Sequence, residues 1–365
     1  MNRSLSYYQP VRYDRYMNAF FERVVDAYYH VPEKKRQELG GLLASAIIER
    51  GLKEMIHAEQ QHLPVEFAQH IDGWVEFISH LTDDYREWRT YGENIFHFQP
   101  SLTEMLRYTD VDGLVYERLR FPYKCFYMYW GAASQVSLWD GETFVDGVYV
   151  RDEGPNDHPK EPSVWLTFTA RRRSADHARK MTEAEFLSHE KCYSLMLGLE
   201  EGIRVGSSLE NAIRSERESP RYWRELAELW LPYLGDLTRL VMNCLCYLDH
   251  EDREVRRRYP EDTPKAMLDK LAKSARPKDI RRNESKLQSM GFRKVFFCGD
   301  TLERERPSIA TGRELPPHWR RGHWRNQAAG PERKRHKMIW IKPTLVRKDK
   351  GDAVIKHIYK TRPVR

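Results

Sequence analysis

Aromatic and cationic residues are interleaved near the C-terminus of the chain, where HWRRGHWR runs from His318 to Arg325. Further cations follow on a turn and on a returning strand-like segment, IWIKP. Cationic side chains contact phosphates, and tryptophan rings stack on bases or guanidinium groups. The block therefore predicts a binding site for RNA or another polyanion. Its candidate residues are Arg320, Arg321, His323, Trp324, Arg325, Arg333, Lys334, Arg335, Lys337 and Lys342.

Alternation along a strand predicts that His323 and Arg325 point to one side and Trp324 to the other. A second interpretation stays open for the same block. In that interpretation Trp324, Ile339 and Ile341 are core residues, and the charges form a solvated face.

Two histidines in this cationic setting, His323 and His336, would suffice for metal-free RNA cleavage by acid–base chemistry. The sequence does not bring their rings together, so His323 is a minor catalytic candidate beside the binding interpretation.

Other enzyme signatures are absent from the sequence. Cys244 and Cys246 stand two apart on a predicted helix, so their thiols point about 200° away from each other and cannot share one ion. The His189-Glu190 pair lacks the second histidine of a zinc-protease helix, and there is no phosphate-binding glycine loop or nucleophile elbow. We expect no metal and no cofactor, and a binding protein rather than an enzyme.

Three tryptophans in the middle of the chain are candidates for binding a peptide, because aromatic anchors dominate peptide-binding interfaces. They are Trp130, Trp139 and Trp165. The alternative is that they pack in a core.

The charge is uneven along the chain, which has 61 Lys and Arg against 54 Asp and Glu. Residues 315–365 alone hold 15 Lys and Arg against three acids. A cationic end on a near-neutral body predicts an anionic partner, with nucleic acid or the ribosome the leading candidates. Five scattered cysteines indicate reduced thiols, and no signal peptide or membrane span is expected. We therefore expect a cytoplasmic protein without membrane partners.

The first hundred residues have helical spacing. A first helix is predicted to end at Pro32, and a second to run from Glu33 to a stop at Gly51. A third is predicted from Val65 to Leu81. The apolar face of the second helix is predicted to contain Leu39, Leu42, Leu43, Ala46 and Ile47.

Beyond Phe121, the runs FPYKCFYMYW, QVSLWDG, ETFVDGVYV and PSVWLTFTA are rich in β-branched and aromatic residues. Gly, Asp and Pro separate them, which predicts an antiparallel meander with a hairpin turn at Asp140-Gly141. Helical spacing returns from Thr182 to Gly206 and from Ser219 to Leu248. The Arg253–Lys286 segment predicts helix and loop, and KVFFC, ending at Cys298, predicts one more strand.

These segments predict an α+β fold with an N-terminal helical block, a central antiparallel β-meander, a second helical block and a C-terminal basic β-hairpin. The predicted regions are a helical N-terminal region at 1–110, an α+β core at 115–310, and the basic hairpin and tail at 311–365.

The order of the segments resembles the second-described family of type V-A anti-CRISPR proteins, phage- and plasmid-borne inhibitors of the Cas12-type effector nuclease. The resemblance covers residues 115–347 and is carried by FPYKCFYMYW, SLWDGETFVDGVYV, SVWLTFTA and LPYLGDLTRLVMNCLCYL. It is most specific in RRGHW, from Arg320 to Trp324, followed by a glycine turn and the strand IWIKP.

The resemblance implies an inhibitor that blocks production of the effector. It would recognise the nascent N-terminal polypeptide of the CRISPR effector and cause loss of the effector mRNA. Two alternatives stay open: a general RNA-binding protein of a phage or plasmid, and a ribonuclease or toxin-like effector that uses His323.

Overall fold

A computed structural model describes residues 8–58, 71–154, 162–173, 182–218, 221–301, 318–329 and 335–346. Three helices come first among these residues. Helix α1 spans Gln9–Tyr29, α2 spans Glu33–Ala58 and α3 spans Ile71–Thr90. Helix α1 has a proline in its first turn and ends before Pro32, as predicted. The predicted start of the third helix at Val65 lies outside the described residues.

Helix α2 continues through Gly51, so the predicted stop is wrong. A Cβ atom at position 51 would lie 3.0 Å from the ring of Phe20, and the glycine therefore allows close packing of α2 on α1. The predicted apolar face is also wrong in part, because Leu39 and Leu42 are exposed whereas Leu52 is buried.

The remaining elements follow in chain order. They are β1 (Ile95–Phe98), α4 (Pro100–Arg107), β2 (Thr109–Asp110), β3 (Cys125–Tyr129), β4 (Thr143–Glu153), β5 (Ser163–Arg172), α5 (Glu183–His189), β6 (Glu190–Gly198), α6 (Val205–Glu218), α7 (Arg221–Asp249), β7 (Val255–Arg258), α8 (Lys265–Ala272), α9 (Pro277–Ser289), β8 (Val295–Cys298), β9 (His318–Arg320), β10 (Gly322–Ala329), β11 (Arg335–Ile341) and β12 (Thr344–Val346). The predicted α+β class is confirmed. Among the helices described, none combines the length and the apolar character that a membrane crossing requires.

Seven strands form one sheet in the order β6-β5-β4-β3-β1-β8-β7. The predicted meander is confirmed for β3, β4 and β5, which pair antiparallel in sequence order, and β6 extends it by one more antiparallel strand. Strand β1, in a region predicted to be helical, lies between β3 and β8 and runs parallel to both. Strand β7 pairs antiparallel with β8 and closes one edge of the sheet. The sheet therefore joins segments from three distant parts of the chain.

One run of the predicted meander is not a strand. Within QVSLWDG, only a single bridge joins Ser137 to Phe144. The turn at Asp140-Gly141 is present, with Gly141 at φ 69° and the Asp140 carboxylate accepting the N–H groups of Glu142 and Thr143. The Asp140 carboxylate stabilises the predicted turn, but the run QVSLWDG before it does not form the predicted strand.

The helical prediction for 182–206 is wrong in its second half. Helix α5 ends at His189 and the chain continues as β6, where Tyr193, Leu195 and Leu197 are buried on one face of the sheet. A short apolar run fits a helix or a strand, and pairing with β5 decides between them. The predicted strand at KVFFC is confirmed as β8, and the Arg253–Lys286 segment contributes the edge strand β7 as well as helices.

Alternate residues of the strands face two separate hydrophobic cores. On one face, Phe126 and Met128 of β3 belong to a core that contains the apolar side of α7. On the other face, Tyr127 of β3 and Tyr149 of β4 pack with residues of α1 and α3. The sheet is therefore covered by helices on both faces.

Helix α1 places the guanidinium of Arg12 in the core that lies between the sheet and helices α1 and α3. The guanidinium of Arg12 donates to both carboxylate oxygens of Glu190 at 2.7 and 2.8 Å and to Asp146 at 2.9 Å. Thr169 also donates to Asp146, and all three charged groups are buried. Burial raises the pKa of Glu190 to about 7, although Arg12 opposes that shift. The ion triad fixes α1 in one position on the sheet.

Candidate nucleic-acid interface

Strands β10 and β11 form the predicted antiparallel hairpin, with Trp324 opposite Trp340 and His323 opposite Ile341. The start of β10 also pairs parallel with β2, where the Gly322 N–H donates to the Tyr108 carbonyl at 2.9 Å. Strands β9 and β12 pair antiparallel beside the hairpin. Backbone hydrogen bonds therefore attach the hairpin to a segment far earlier in the sequence.

A polar contact with α7 and β2 anchors the inner face of the hairpin. The Trp324 indole N–H donates to Asn243 Oδ1 at 2.7 Å, and Asn243 Nδ2 donates to the Thr109 carbonyl at 2.9 Å. The Trp340 indole N–H donates to Thr109 Oγ1 at 3.1 Å. The two indole rings stack with centroids 5.7 Å apart and planes 17° apart. Since Asn243 is buried, these bonds are shielded from water and their loss leaves polar groups unsatisfied.

There is a steric reason for a glycine at position 322 of the RRGHW motif. A Cβ atom at position 322 would lie 2.7 Å from the Ile341 carbonyl oxygen and 2.7 Å from Pro343 Cδ. No side chain fits without displacing the backbone of the returning strand. The close approach places Gly322 of RGHW directly against Ile341 and Pro343 of IWIKP.

The outer face of the hairpin is cationic. Exposed residues along β9 and β10 are Arg320, Arg321, His323 and Arg325. The prediction that His323 and Arg325 share the side opposite Trp324 is confirmed, because Trp324 packs against the α7 core. The alternative interpretation is right for Trp324, which packs against the core, and wrong for Ile341, which is 40% exposed, whereas Trp340 is buried.

The other predicted binding residues have different positions. Lys342 is exposed, with its Nζ 5.6 Å from the centroid of the Trp340 ring. Arg335 and Lys337 lie on β11, opposite Ala329 and Gln327. Arg333 and Lys334 fall outside the described residues.

The strand register separates the two histidines considered for catalysis. His336 pairs with Ala328, which stands five positions along β10 from His323. Five residues of strand span about 16 Å, too far for two imidazole rings to act on one phosphate group. His323 pairs with Asp110 at the edge of β2, so its nearest strand neighbour with an ionisable side chain is a carboxylate.

The three tryptophans proposed to grip a peptide do not form one groove. Trp130 is only 2% exposed and donates to Cys244 Sγ, so its assignment to an open peptide site is wrong. Trp139 is 42% exposed and lies edge-on to Trp230 of α7. Trp165 is half-buried on the other face of the sheet and donates to Glu153. Trp139 and Trp165 therefore lie in two separate places.

All five cysteines are free and buried: Cys125, Cys192, Cys244, Cys246 and Cys298. Burial raises the pKa of the Cys244 and Cys246 thiols, which keeps them protonated and unreactive. In the part of the chain that the structure describes, no cluster of His, Cys, Asp and Glu is suited to a metal ion.

Sequence reasoning missed two residues on which the hairpin depends, Asn243 and Thr109. The available signal was Asn243 itself, a polar residue in the apolar run LVMNCLCYL. A buried polar side chain needs a partner, and its partners lie on β2 and β10.

The sequence pattern of the AcrVA2-like family, described as the anti-CRISPR type V subtype A2 family, matches residues 96–348. The crystal structure of AcrVA2 matches with a TM-score of 0.41 and 16% sequence identity, covering 90% of this chain and 97% of that chain. No curated protein matches the chain significantly. The family match covers more than half of the chain, includes β1 through the end of the hairpin, and confirms the resemblance found in the sequence. The chain therefore belongs to the AcrVA2-like family of type V subtype A2 anti-CRISPR proteins.

Proposed function

We propose that this protein inhibits a type V CRISPR system by blocking production of the effector nuclease. It recognises the nascent N-terminal peptide of the effector and promotes loss of the effector mRNA. The observation that carries the proposal is the family match across the sheet, α7 and the anchored hairpin.

The hairpin supports the RNA-directed part of this proposal. Exposed Arg320, Arg321 and Arg325 supply cations to phosphates, and a ribosome presents phosphates wherever a nascent chain emerges. The contact of Trp324 with Asn243 anchors the backbone that carries those cations, so only their side chains need to be ordered on binding.

The same geometry supports binding without chemistry. Trp324 is engaged in the anchor, and His323 and His336 are five strand positions apart. A ribonuclease based on these two rings would need a rearranged hairpin.

The direct test is effector production in bacteria that carry the chain or an empty vector. We expect effector protein and effector mRNA to fall, while a reporter with the same promoter and untranslated regions stays constant. Synonymous recoding of the first effector codons keeps the loss, because the peptide is read. Changing the encoded peptide abolishes the loss.

Variants locate the contribution of the hairpin. The double variant Arg320→Glu, Arg325→Glu is expected to restore most of the effector mRNA. The matched control is Arg50→Glu, a reversal at an arginine that is 83% exposed on α2. His323→Ala keeps the loss, whereas restored mRNA with His323→Ala alone would point to a ribonuclease. Unchanged effector protein and mRNA with the wild-type chain would contradict the proposal.

A further inference from the structure

Four residues form a surface of aromatic rings and a cation at the β8–β7 edge of the sheet. The rings of Phe96 and Phe296 stack with centroids 4.8 Å apart and planes 17° apart. The Tyr123 ring lies 6.1 Å from the first and 6.2 Å from the second. The guanidinium carbon of Arg257 lies 5.1 Å from the Phe296 centroid. We call Tyr123, Phe96, Phe296 and Arg257 the aromatic platform.

The topology gathers these residues at one end of the sheet. Strands β3, β1 and β8 are parallel neighbours, so they begin at the same end. Tyr123 stands just before β3, and Phe296 is the second residue of β8. Arg257 pairs with Phe296 across the antiparallel edge.

The outer part of the platform is open to solvent. Tyr123 is 36% exposed, Phe296 is half-buried and Arg257 is exposed. Within the described residues no carboxylate forms an ion pair with Arg257. Phe96 is buried and stacks on Phe296, and Arg257 lies over the Phe296 ring from the other neighbouring strand. The ring of Tyr123 is therefore the one open to a ligand, with the cation of Arg257 close by.

The chain around the platform is strongly basic. Residues 253–300 hold 14 Lys and Arg against seven Asp and Glu. Helices α8 and α9 are inserted between β7 and β8, so they start and finish at the platform end of the sheet. Several of their cations are exposed and make no ion pair among the described residues: Lys270, Lys273, Arg276, Lys278 and Arg281. Others are neutralised, since Arg282 pairs with Asp279 and Lys294 with Glu284.

We propose that the aromatic platform is a second RNA-binding site, which stacks a base of single-stranded RNA on the exposed ring of Tyr123. Arg257 and the cations of α8 and α9 contact the neighbouring phosphates. Aromatic faces that stack bases, beside cations that follow the backbone, are the chemistry by which proteins hold single strands. An acidic peptide would use the cations and leave the rings unused. The choice of RNA as the single strand rests on the proposed function.

The test measures fluorescence anisotropy of a labelled, unstructured RNA of about 12 nucleotides with the purified full chain. A second probe has the same length and phosphate charge and abasic units in place of bases. Tyr123→Leu is expected to weaken RNA binding about fivefold or more, and to leave binding of the abasic probe unchanged. Arg257→Gln is expected to weaken binding of both probes.

The matched control is Tyr29→Leu on α1. Tyr29 is 64% exposed and lies under the guanidinium of Arg36 at 4.8 Å, so it repeats the aromatic–cation pair outside the platform. Equal RNA binding by Tyr123→Leu and Tyr29→Leu, with thermal unfolding as in the wild type, would overturn the proposal. So would equal affinity of the wild type for the RNA and the abasic probe.

The proposed function and the aromatic platform can each be rejected without rejecting the other. Effector loss in cells together with base-independent RNA binding in vitro rejects the platform and keeps the proposed function. Base-dependent binding at Tyr123 without effector loss in cells rejects the proposed function and keeps the platform.

Discussion

At the scale of single residues, the hairpin depends on one glycine and one asparagine. Gly322 lets the β10 backbone pass next to Ile341 and Pro343. Asn243 uses its amide to receive one tryptophan N–H and to donate to β2. Neither residue carries a charge, yet both determine where the exposed arginines lie. The short RGHW motif therefore combines structural residues, Gly322 and Trp324, with an exposed residue, His323.

The first prediction concerns Gly322→Ala. The added Cβ meets backbone atoms that cannot move independently, so we expect a loss of about 1–3 kcal/mol in the free energy of unfolding. Hydrogen exchange should become faster in β10 and β11 before the rest of the sheet. Urea unfolding and amide exchange are the measurements.

Gly113→Ala is the matched control, because nothing lies within 4 Å of its Cβ position. It should change the free energy of unfolding by less than about 0.5 kcal/mol. Equal stability of the two variants, with unchanged exchange in β10, would show that the close approach at Gly322 is unimportant.

Residue spacing predicted part of this site. The alternation of strand side chains correctly placed His323 and Arg325 opposite Trp324. It gave no information about Asn243, whose partners are distant in sequence, or about the burial of Trp130 under α7. Contacts between distant segments depend on the sheet order, which local spacing does not contain.

At the scale of elements, α1 is joined to the sheet by the buried triad of Arg12, Asp146 and Glu190. Two carboxylates taken out of water are stabilised there mainly by the one guanidinium that binds both, while Arg171 Nε lies farther away, 3.7 Å from Asp146. Burial would by itself lower the pKa of Arg12, but Glu190 and Asp146 raise it above its ordinary value. The contact therefore depends on all three residues.

The second prediction is that Arg12→Met lowers the free energy of unfolding by about 3–5 kcal/mol at pH 7, because two buried carboxylates lose their cation. Arg23→Met is the control on the same helix. Its ion pair with Glu183 at 2.7 Å is 59% exposed on the arginine side, so we expect a loss below about 1 kcal/mol. Chemical unfolding measures both.

The penalty in Arg12→Met should depend on pH. In the wild type the pKa of Glu190 is already about 7 although Arg12 opposes the shift, so removal of the cation raises that pKa further. Above pH 7 the folded variant therefore binds more protons than the folded wild type, and the gap in stability between them should narrow as the pH falls toward about 7. Below about pH 7 Glu190 is protonated in both folded proteins, so the gap should level off. A gap that widens as the pH falls toward 7 would contradict this account of the triad.

Helices and strands were predicted correctly where the local sequence pattern was clear. They were missed where the pattern was too short or where contacts with distant segments favoured another structure. Helix α1 and three of the four predicted meander runs have clear spacing and clear breaks, and these are confirmed. Strand β1 has four residues between two helices, too few for a periodic pattern. Strand β6 was predicted to be helical, and the end of α2 beyond Gly51 was missed, because pairing with β5 and packing on Phe20 override local preference.

At the scale of the whole molecule, the match to the AcrVA2-like family starts at β1 and ends just after the hairpin. That stretch includes every strand of the seven-stranded sheet, together with α7 and the anchored hairpin. Helices α1 to α3 precede it and cover one face of the sheet. The family assignment was predictable from the order of motifs, whereas the two-sided covering of the sheet was not.

The most direct test of the central claim is co-purification of the tagged protein from bacteria that are translating a type V effector. Bound RNA is sequenced and bound protein is identified by mass spectrometry. We predict one enriched message, that of the effector, together with its N-terminal peptide and ribosomal proteins. Bulk cellular RNA without a preferred message or peptide would contradict co-translational interference and leave a general RNA-binding protein.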